Sequence, residues 1–294
     1  MIHKAVGGKD EGPNVTVLNV TNYRSFSKEE QEMTVEIYKK IADYLVAAEV
    51  EKREVVKVTR VFKPDLTVEE AYNVQNLLVQ KKLNEGHKII GPKMGLTSKA
   101  KWDQMGVSEP IYGYVFDYML VDDRGVLPFS DLIHPKVEAE IAFLIGEDIE
   151  GPGITAEQVL AKTQYVLPAL EIIDSRYENF NFTLPDVVAD NASTSRVVFG
   201  NKQSIPNEFD LELLGATLSI NGQIKDYGTG AAVLGHPANA IAELANMLAR
   251  KGDKIKKGEI ILSGAITSAV MLEVGDSVSG IFDGLGEVTF SVGE

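Results

Sequence analysis

The chain of 294 residues contains no cysteine, which excludes disulfides, iron–sulfur clusters, cysteine-ligated zinc and thiol nucleophiles. Basic residues are scarce relative to acidic ones: 29 Lys and Arg against 43 Asp and Glu, for a net charge of −14. Nucleic-acid and anionic-membrane partners both require a basic surface, so we expect neither. An anionic small molecule remains compatible with this charge, because a local cluster or a bound metal can reverse the field at one site.

Long apolar runs are missing as well. The N-terminal residues contain no stretch apolar enough for a signal peptide, and no later run reaches the roughly 20 residues that span a bilayer. We therefore expect a soluble, cytoplasmic protein. Hydrophobic residues still make up 44% of the chain, which is enough for a sizeable core. No P-loop motif and no internal repeat is present.

Two helical patterns precede a β-rich region. Apolar residues at helical spacing predict an amphipathic helix over roughly residues 28–53, which begins after a capping box formed by Ser27 and Glu30. Thr67 and Glu70 form a second capping box, and the helix after it is expected to end near Gly86.

Beyond that glycine, short β-rich runs alternate with glycine and proline. The predicted strands cover residues 88–90, 137–145, 165–173, 197–199, 213–220, 259–262, 277–281 and 287–292. Asn221-Gly222 is typical of a hairpin turn, and residues 237–250 predict one further helix. This order indicates an α+β fold without regular βαβ alternation. We expect an N-terminal arm (1–25), a helical region (26–86) and a β-rich catalytic domain (87–294).

Residues 136–146, KVEAEIAFLIG, carry the most informative pattern. On a strand, Glu138 and Glu140 share a face, because side chains alternate between the two faces. Considered as a pair, they favour a face exposed to solvent. The other interpretation is a buried pair compensated by a divalent cation, since an unpaired buried carboxylate costs several kcal/mol.

A third carboxylate, Glu171, lies in the apolar run VLPALEII. Three acidic residues in two apolar strands suggest an all-oxygen site for Mg²⁺ or Mn²⁺. A buried salt bridge to Lys or Arg explains the pattern equally well, so both interpretations remain open. Lys93 could bind a carboxylate or transfer a proton, and Ser193 could hydrogen-bond a ligand. As single residues, a surface lysine and an ordinary polar turn explain them as well, and for His134 a structural role is favoured.

Several segments together resemble a known family. They are, in order, KMGLTS, EPIYGY, HPKVEAEIAF, PALEIIDSRYENF, VADNAS, LGHP and GDSVSGIFDGLGEV. Their order is similar to that of the 2-keto-4-pentenoate hydratase/4-oxalocrotonate decarboxylase family, over about residues 30–292. The resemblance implies a fumarylacetoacetase-like mixed β-roll or barrel with an N-terminal helical region.

The resemblance also implies functional residues. The family's metal ligands correspond to Glu138, Glu140 and Glu171, its active-site lysine to Lys93, and the serine of its NAS motif to Ser193. Other expected substrate contacts are Gly95, Leu96, Thr97 and Arg176. Pro92 departs from the family pattern, because relatives carry a bulkier apolar residue before the lysine.

The branch of the family is indicated by one replacement. Hydratases have a PDFG stretch, whose Asp is thought to assist the addition of water, whereas this chain has Pro110-Ile111-Tyr112-Gly113. IDSRYENFNF also resembles the decarboxylases. The resemblance therefore implies decarboxylation of 2-oxo-3-hexenedioate (4-oxalocrotonate) to 2-hydroxypenta-2,4-dienoate and CO₂, a step of meta-cleavage aromatic degradation.

The alternatives are a 2-hydroxypenta-2,4-dienoate hydratase and, from another class, a non-catalytic subunit that binds 2-oxo acids or acts as a scaffold. An acylpyruvate-type hydrolase fits less well, because it requires a His–Glu pair to activate water. We also expect a homo-oligomer and a complex with the pathway hydratase.

Overall fold

The computed structural model describes residues 28–98, Trp102 and residues 109–294. The expected N-terminal arm and Ser27 of the first capping box lie outside the described residues. Within the described part of the chain, no helix is both long and apolar enough to cross a bilayer.

The N-terminal region is helical, as predicted. It contains α1 (Lys28–Glu51), α2 (Val58–Val61) and α3 (Val68–Asn84). The capping box of α3 is confirmed: the Thr67 hydroxyl accepts a hydrogen bond from the Glu70 amide, and the Thr67 amide donates to the Glu70 carboxylate. The single turn of α2 was not predicted. Buried residues of α1 and α3 belong to the same hydrophobic core as the strands that follow.

The remainder of the described chain is mainly β. Its strands are β1 (Ile89–Gly95), β2 (Ile111–Phe116), β3 (Leu120–Val121), β4 (Gly125–Pro128), β5 (Lys136–Ile145), β6 (Thr163–Ile173), β7 (Thr194–Phe199), β8 (Gly215–Ile220), β9 (Gln223–Thr229), β10 (Ile260–Ala265), β11 (Val270–Met271), β12 (Ser277–Phe282) and β13 (Gly286–Gly293). The helices among them are α4 (Ala156–Lys162), α5 (Leu184–Ala189) and α6 (Pro237–Ala249). All eight predicted strands and the predicted third helix are present. The sequence-based prediction missed β2, β3, β4, β9, β11, α4 and α5.

The strands form two mixed sheets. The first has the order β2-β1-β10-β5-β6-β7-β3, with β11 also paired to β5, and the second has the order β4-β13-β12-β8-β9. The pairs β1–β10, β4–β13 and β3–β7 are parallel, and the others are antiparallel. Asn221 and Gly222 both have positive φ in the turn between β8 and β9, as a type I′ hairpin requires. The predicted mixed β-roll is confirmed.

Both faces of β5 are buried. Val137, Ala139, Ile141 and Phe143 belong to a large core that includes the helices and the second sheet. The alternate residues Ala142 and Leu144 belong to a smaller core, together with residues of β2, β6, β7 and β10. We call these the large-core face and the small-core face. By alternation, Glu138 and Glu140 lie on the small-core face.

Candidate active site

Glu138, Glu140 and Glu171 form a buried carboxylate cluster. Glu171 of β6 is the cross-strand partner of Glu138 on β5, so the register brings the two strands' carboxylates together. The exposed fractions of the residues are 7%, 0% and 1%. One carboxylate oxygen from each lies within 4.8 Å of the others. The solvent-facing interpretation of Glu138 and Glu140 is therefore wrong, because β5 packs on both faces.

The contacts of the cluster leave oxygens available. The Gly264 amide donates to Glu140 Oε2 at 2.8 Å, and Lys93 Nζ lies 3.0 Å from Glu171 Oε1. Neither Glu140 Oε1 nor Glu171 Oε1 has a well-aligned hydrogen bond within the described chain. Both alternatives raised by the sequence thus have structural support, since an ion pair with a lysine lies within a set of carboxylates that could hold a metal.

Burial raises the pKa values of two of the glutamates, Glu140 and Glu171. It raises the pKa of Glu140 well above its usual range, and the neighbouring charges of Glu171 and Glu138 raise it further. Burial also raises the pKa of Glu171, although the Lys93 ammonium opposes the shift. Carboxylates that would otherwise retain protons can ionise when a cation is bound. With oxygen donors alone, the three residues fit a hard divalent ion such as Mg²⁺ or Mn²⁺.

Lys93 lies in the middle of β1, with an exposed fraction of 3%. Its register partners are Gly113 on β2 and Leu262 on β10. The strand continues through Pro92, which is paired with Tyr114. The proline therefore does not prevent the strand from presenting Lys93 to Glu171.

The segment after β1 lies beside the cluster. Gly95 ends the strand, Leu96 adopts a left-handed φ of 53°, and Thr97 is buried. Gly264, whose amide binds Glu140, is so close to Thr97 that a Cβ on Gly264 would be 2.1 Å from Thr97 Oγ1. The structure thus brings Thr97 and the carboxylate cluster together. The Trp102 indole donates a hydrogen bond to the Leu96 carbonyl and so holds the segment after β1 at a second point.

Ser193 is the last residue of a buried turn, Asn191–Ser193. All three residues have left-handed φ values, between 49° and 56°. The Ser193 carbonyl accepts from the Asp174 amide, three residues beyond Glu171. Its hydroxyl oxygen is buried and has no hydrogen-bond partner in the described part of the protein. A buried hydroxyl without a partner in a strained turn is consistent with a ligand contact.

Arg176 is buried and has several partners within the chain. Its Nε pairs with an Asp190 carboxylate oxygen, one terminal nitrogen donates to the Thr194 carbonyl at 3.0 Å, and the other donates to the Asp190 carbonyl. Burial tends to lower the pKa of Arg176, but the charge of Asp190 reverses this and raises it. These contacts attach Arg176 to Asp190 and Thr194, which flank the 191–193 turn, and its contact with substrate stays a prediction.

His134 is held by contacts within the chain, and its structural role stays a prediction. Its ring lies 2.7 Å from a Glu54 oxygen and 2.6 Å from the Ser175 carbonyl, and its centroid is 4.5 Å from that of the tilted Phe180 ring. Two residues at the site were missed by sequence reasoning. The Gly264 amide donates to Glu140, and the Asn191 side chain forms hydrogen bonds with β2. Both contacts join residues that are far apart in the sequence, so a local pattern does not show them.

The family is shown by comparison with known proteins. Residues 110–293, more than half of the chain, match the family model described as fumarylacetoacetate (FAA) hydrolase, C-terminal. The chain belongs to this family.

Relatives of this FAA hydrolase family member include both branches considered above. A 4-oxalocrotonate decarboxylase of Pseudomonas sp. strain CF600 is 47% identical over 249 residues, which are 85% of this chain and 94% of that protein. A 2-keto-4-pentenoate hydratase of Paraburkholderia xenovorans strain LB400 is 41% identical over 225 residues, 76% of this chain and 84% of the hydratase. A solved 4-oxalocrotonate decarboxylase from Pseudomonas putida G7, complexed with magnesium and adipate, superposes with a TM-score of 0.86 at 43% identity, covering 92% of this chain and 99% of that one.

Proposed function

We propose that the protein is a metal-dependent carboxy-lyase that converts 2-oxo-3-hexenedioate (4-oxalocrotonate) into 2-hydroxypenta-2,4-dienoate and CO₂. The observation that carries this proposal is the buried cluster of Glu138, Glu140 and Glu171 beside Lys93, in a chain 47% identical to a 4-oxalocrotonate decarboxylase. The magnesium complex of the Pseudomonas putida G7 decarboxylase supports the choice of cation.

The three glutamates are the proposed ligands of Mg²⁺ or Mn²⁺. Glu140 is oriented by the Gly264 amide, which binds Oε2, while Oε1 has no hydrogen-bond partner among the described residues. When bound, the cation supplies Lewis acidity toward the oxygens of the 2-oxo acid. The apolar residues of the smaller core, among them Ala142 of β5 and Leu262 of β10, limit water around the cluster, which strengthens each charge interaction there.

Lys93 is the proposed acid or carboxylate-binding group. In the reaction, the bond between the distal carboxylate and its neighbouring carbon breaks, and its electron pair moves through the conjugated chain to the C2 oxygen. That oxygen takes up one proton to give the dienol. A buried ammonium next to the cluster is suited to donate this proton or to bind the substrate carboxylate. Ser193 and residues 95–97 are the proposed orienting groups.

A hydratase is the nearest alternative, because relatives of that branch reach 41% identity. The hydratase reaction adds water, and the resemblance places its assisting Asp where this chain has Ile111. Ile111 is buried and pairs with Gly95, next to the proposed substrate segment. An apolar side chain cannot activate water, whereas decarboxylation does not require that step. This position therefore favours the decarboxylase.

The test is to supply 2-oxo-3-hexenedioate and 2-hydroxypenta-2,4-dienoate separately with Mg²⁺ and to follow their ultraviolet absorbance. We expect turnover of the first, and its loss in Glu138→Gln and Glu171→Gln. Glu243→Gln, an exposed position on α6, is the matched control and should remain active. Turnover of the dienoate alone would support the hydratase. Binding of Mg²⁺ and ligand without any turnover would support a binding-only subunit.

We also propose a cytoplasmic homo-oligomer that associates with the hydratase of its pathway. The support for the association with the hydratase is chemical. The proposed product is the compound named in the 2-hydroxypent-2,4-dienoate hydratase of Pseudomonas putida, a 40% identical relative. Light scattering of the purified protein measures the oligomer, and co-purification with the hydratase measures the complex. A monomer that never retains the hydratase would contradict both parts.

A further inference from the structure

Side chains form hydrogen bonds with the backbone along the free edge of β2. This strand is at one end of the first sheet, so one of its edges has no neighbouring strand in the described structure. The Tyr112 amide donates to the Tyr72 hydroxyl at 3.3 Å, and the Tyr112 carbonyl accepts from Gln75 at 2.9 Å. Further along, the Asn191 carboxamide accepts from the Tyr114 amide at 2.8 Å and donates to the Tyr114 carbonyl at 2.9 Å. One side chain thus reproduces the two hydrogen bonds that a neighbouring strand would make.

The turn that contains Asn191 lies close to Lys93. A Cβ on Gly113 would be 2.4 Å from the Asn191 carbonyl oxygen, so the backbones of β2 and the turn are in direct contact. Gly113 is the register partner of Lys93. One strand therefore separates the turn from the lysine.

The other end of the same turn is tied to the glutamate strands. Thr194 begins β7 and pairs with Ile173, two residues after Glu171 on β6. The Ser193 carbonyl accepts from the Asp174 amide at 2.9 Å. The turn accordingly links β2, the neighbour of the strand that carries Lys93, to β6, the strand that carries Glu171.

The conformation of the turn is not one that its sequence favours. Three consecutive residues other than glycine are left-handed, which is unfavourable for L-residues. Contacts must therefore hold it: the bonds of Asn191 to Tyr114, and the Thr194 hydroxyl, which donates to the Asn191 carbonyl at 2.6 Å. Ser193, whose hydroxyl has no hydrogen-bond partner in the part of the chain that the structure describes, ends this turn.

We infer that Asn191 is a positioning residue: by docking the turn on β2, it fixes the Ser193 hydroxyl relative to Lys93 for a dicarboxylate ligand. It acts through Ser193 and does not contribute to the metal site. The inference rests on the proposed function for the identity of the ligand, but its test relies on binding and not on turnover.

The decisive variant is Asn191→Asp, which preserves the size of the side chain and one acceptor but places an oxygen against the Tyr114 carbonyl. Adipate, the dicarboxylate in the Pseudomonas putida G7 complex, is the probe, and calorimetry on the Mg²⁺-loaded protein is the assay. We expect the adipate affinity to fall by roughly tenfold or more, as loss of a buried hydrogen bond predicts. The affinity for Mg²⁺ should remain within about twofold of the wild-type value.

Asn246→Asp is the matched control. Asn246 also accepts from a backbone amide, that of Gly153 at 2.7 Å, and donates to a backbone carbonyl, that of Ile154 at 3.5 Å. It lies on α6 and its hydrogen bonds are to residues 153 and 154 rather than to the 191–193 turn, so adipate should bind this variant as it binds the wild type.

A double-mutant cycle distinguishes positioning from general loss of structure. If Asn191 acts through Ser193, Ser193→Ala should weaken adipate by a similar factor, and the double variant should be no weaker than the weaker single variant. The inference would be overturned if the two substitutions lowered the adipate affinity multiplicatively, or if Asn191→Asp bound adipate with wild-type affinity. It would also be overturned if Asn191→Asp lost Mg²⁺ affinity to the same extent, or if the wild-type protein did not bind adipate. Normal binding behaviour without turnover of 2-oxo-3-hexenedioate would refute the proposed function alone.

Discussion

Gly264→Ala tests the contact between the carboxylate cluster and the segment after β1. Gly264 has a φ of 108°, outside the region that residues with a Cβ adopt readily, and this strain costs about 1–3 kcal/mol. The new methyl group would lie 2.1 Å from Thr97 Oγ1 and 2.8 Å from Thr97 Cβ. Because Thr97 Cβ itself is too close, rotating the side chain cannot relieve the overlap, and the backbone must move. Overpacking of this kind adds about 1–3 kcal/mol.

The sum predicts a loss of about 2–6 kcal/mol in urea unfolding. The Gly264 amide moves with its backbone, so Glu140 loses its orienting hydrogen bond and turnover should fall with stability. Gly275→Ala is the control, because Gly275 has a similar φ of 93° and no atom within 4 Å of the point where its new methyl group would lie. This control should show only the strain of about 1–3 kcal/mol and retain activity. Equal stability and equal turnover in the two variants would refute the reasoning.

Two further predictions concern buried charge. Arg176→Leu should destabilise the protein by about 3–5 kcal/mol in urea, because Asp190 is left buried without its cation. Adding Asp190→Asn should recover part of this loss, and unchanged stability of Arg176→Leu would contradict the prediction. Glu259→Gln should have no effect on stability near pH 4 and should stabilise by about 1–2 kcal/mol at pH 8, after allowance for partial exposure.

The sign for Glu259 follows from proton binding. Burial raises its pKa from 4.5 to about 7, so between these values the folded protein binds more protons than the unfolded chain. Stability therefore falls as pH rises through this window, and the penalty persists above it. Glutamine removes the ionisation. Identical pH profiles of stability for the wild type and Glu259→Gln would rule out a raised pKa of Glu259 in the folded protein.

Local pattern was sufficient for part of the fold. The alternation in β5 correctly predicted that Glu138 and Glu140 share a face, and the Thr67–Glu70 box located the start of α3. The same kind of signal existed for α4, whose Thr155 and Gln158 form a capping box, but this was overlooked. In β2, Gly113 interrupts a run whose aromatic residues are otherwise typical of strands.

Contacts between distant residues could not be predicted from the sequence. That β5 is buried on both faces depends on the second core, so the pair of glutamates alone favoured the wrong, solvent-facing interpretation. The Glu138–Glu171 register and the Asp190 partner of Arg176 are set by tertiary structure. The left-handed turn at 191–193 is held by Tyr114, 77 residues away from Asn191, and no local propensity indicates it.

The central claim is that the buried glutamates bind a divalent cation, and the most direct measurement is calorimetric titration of metal-stripped protein with Mg²⁺ in the absence of substrate. The account predicts one ion per chain for the wild type and for Glu243→Gln, and an affinity at least about tenfold lower for Glu140→Gln, which loses one charged ligand of three. An unchanged affinity in Glu140→Gln would contradict it.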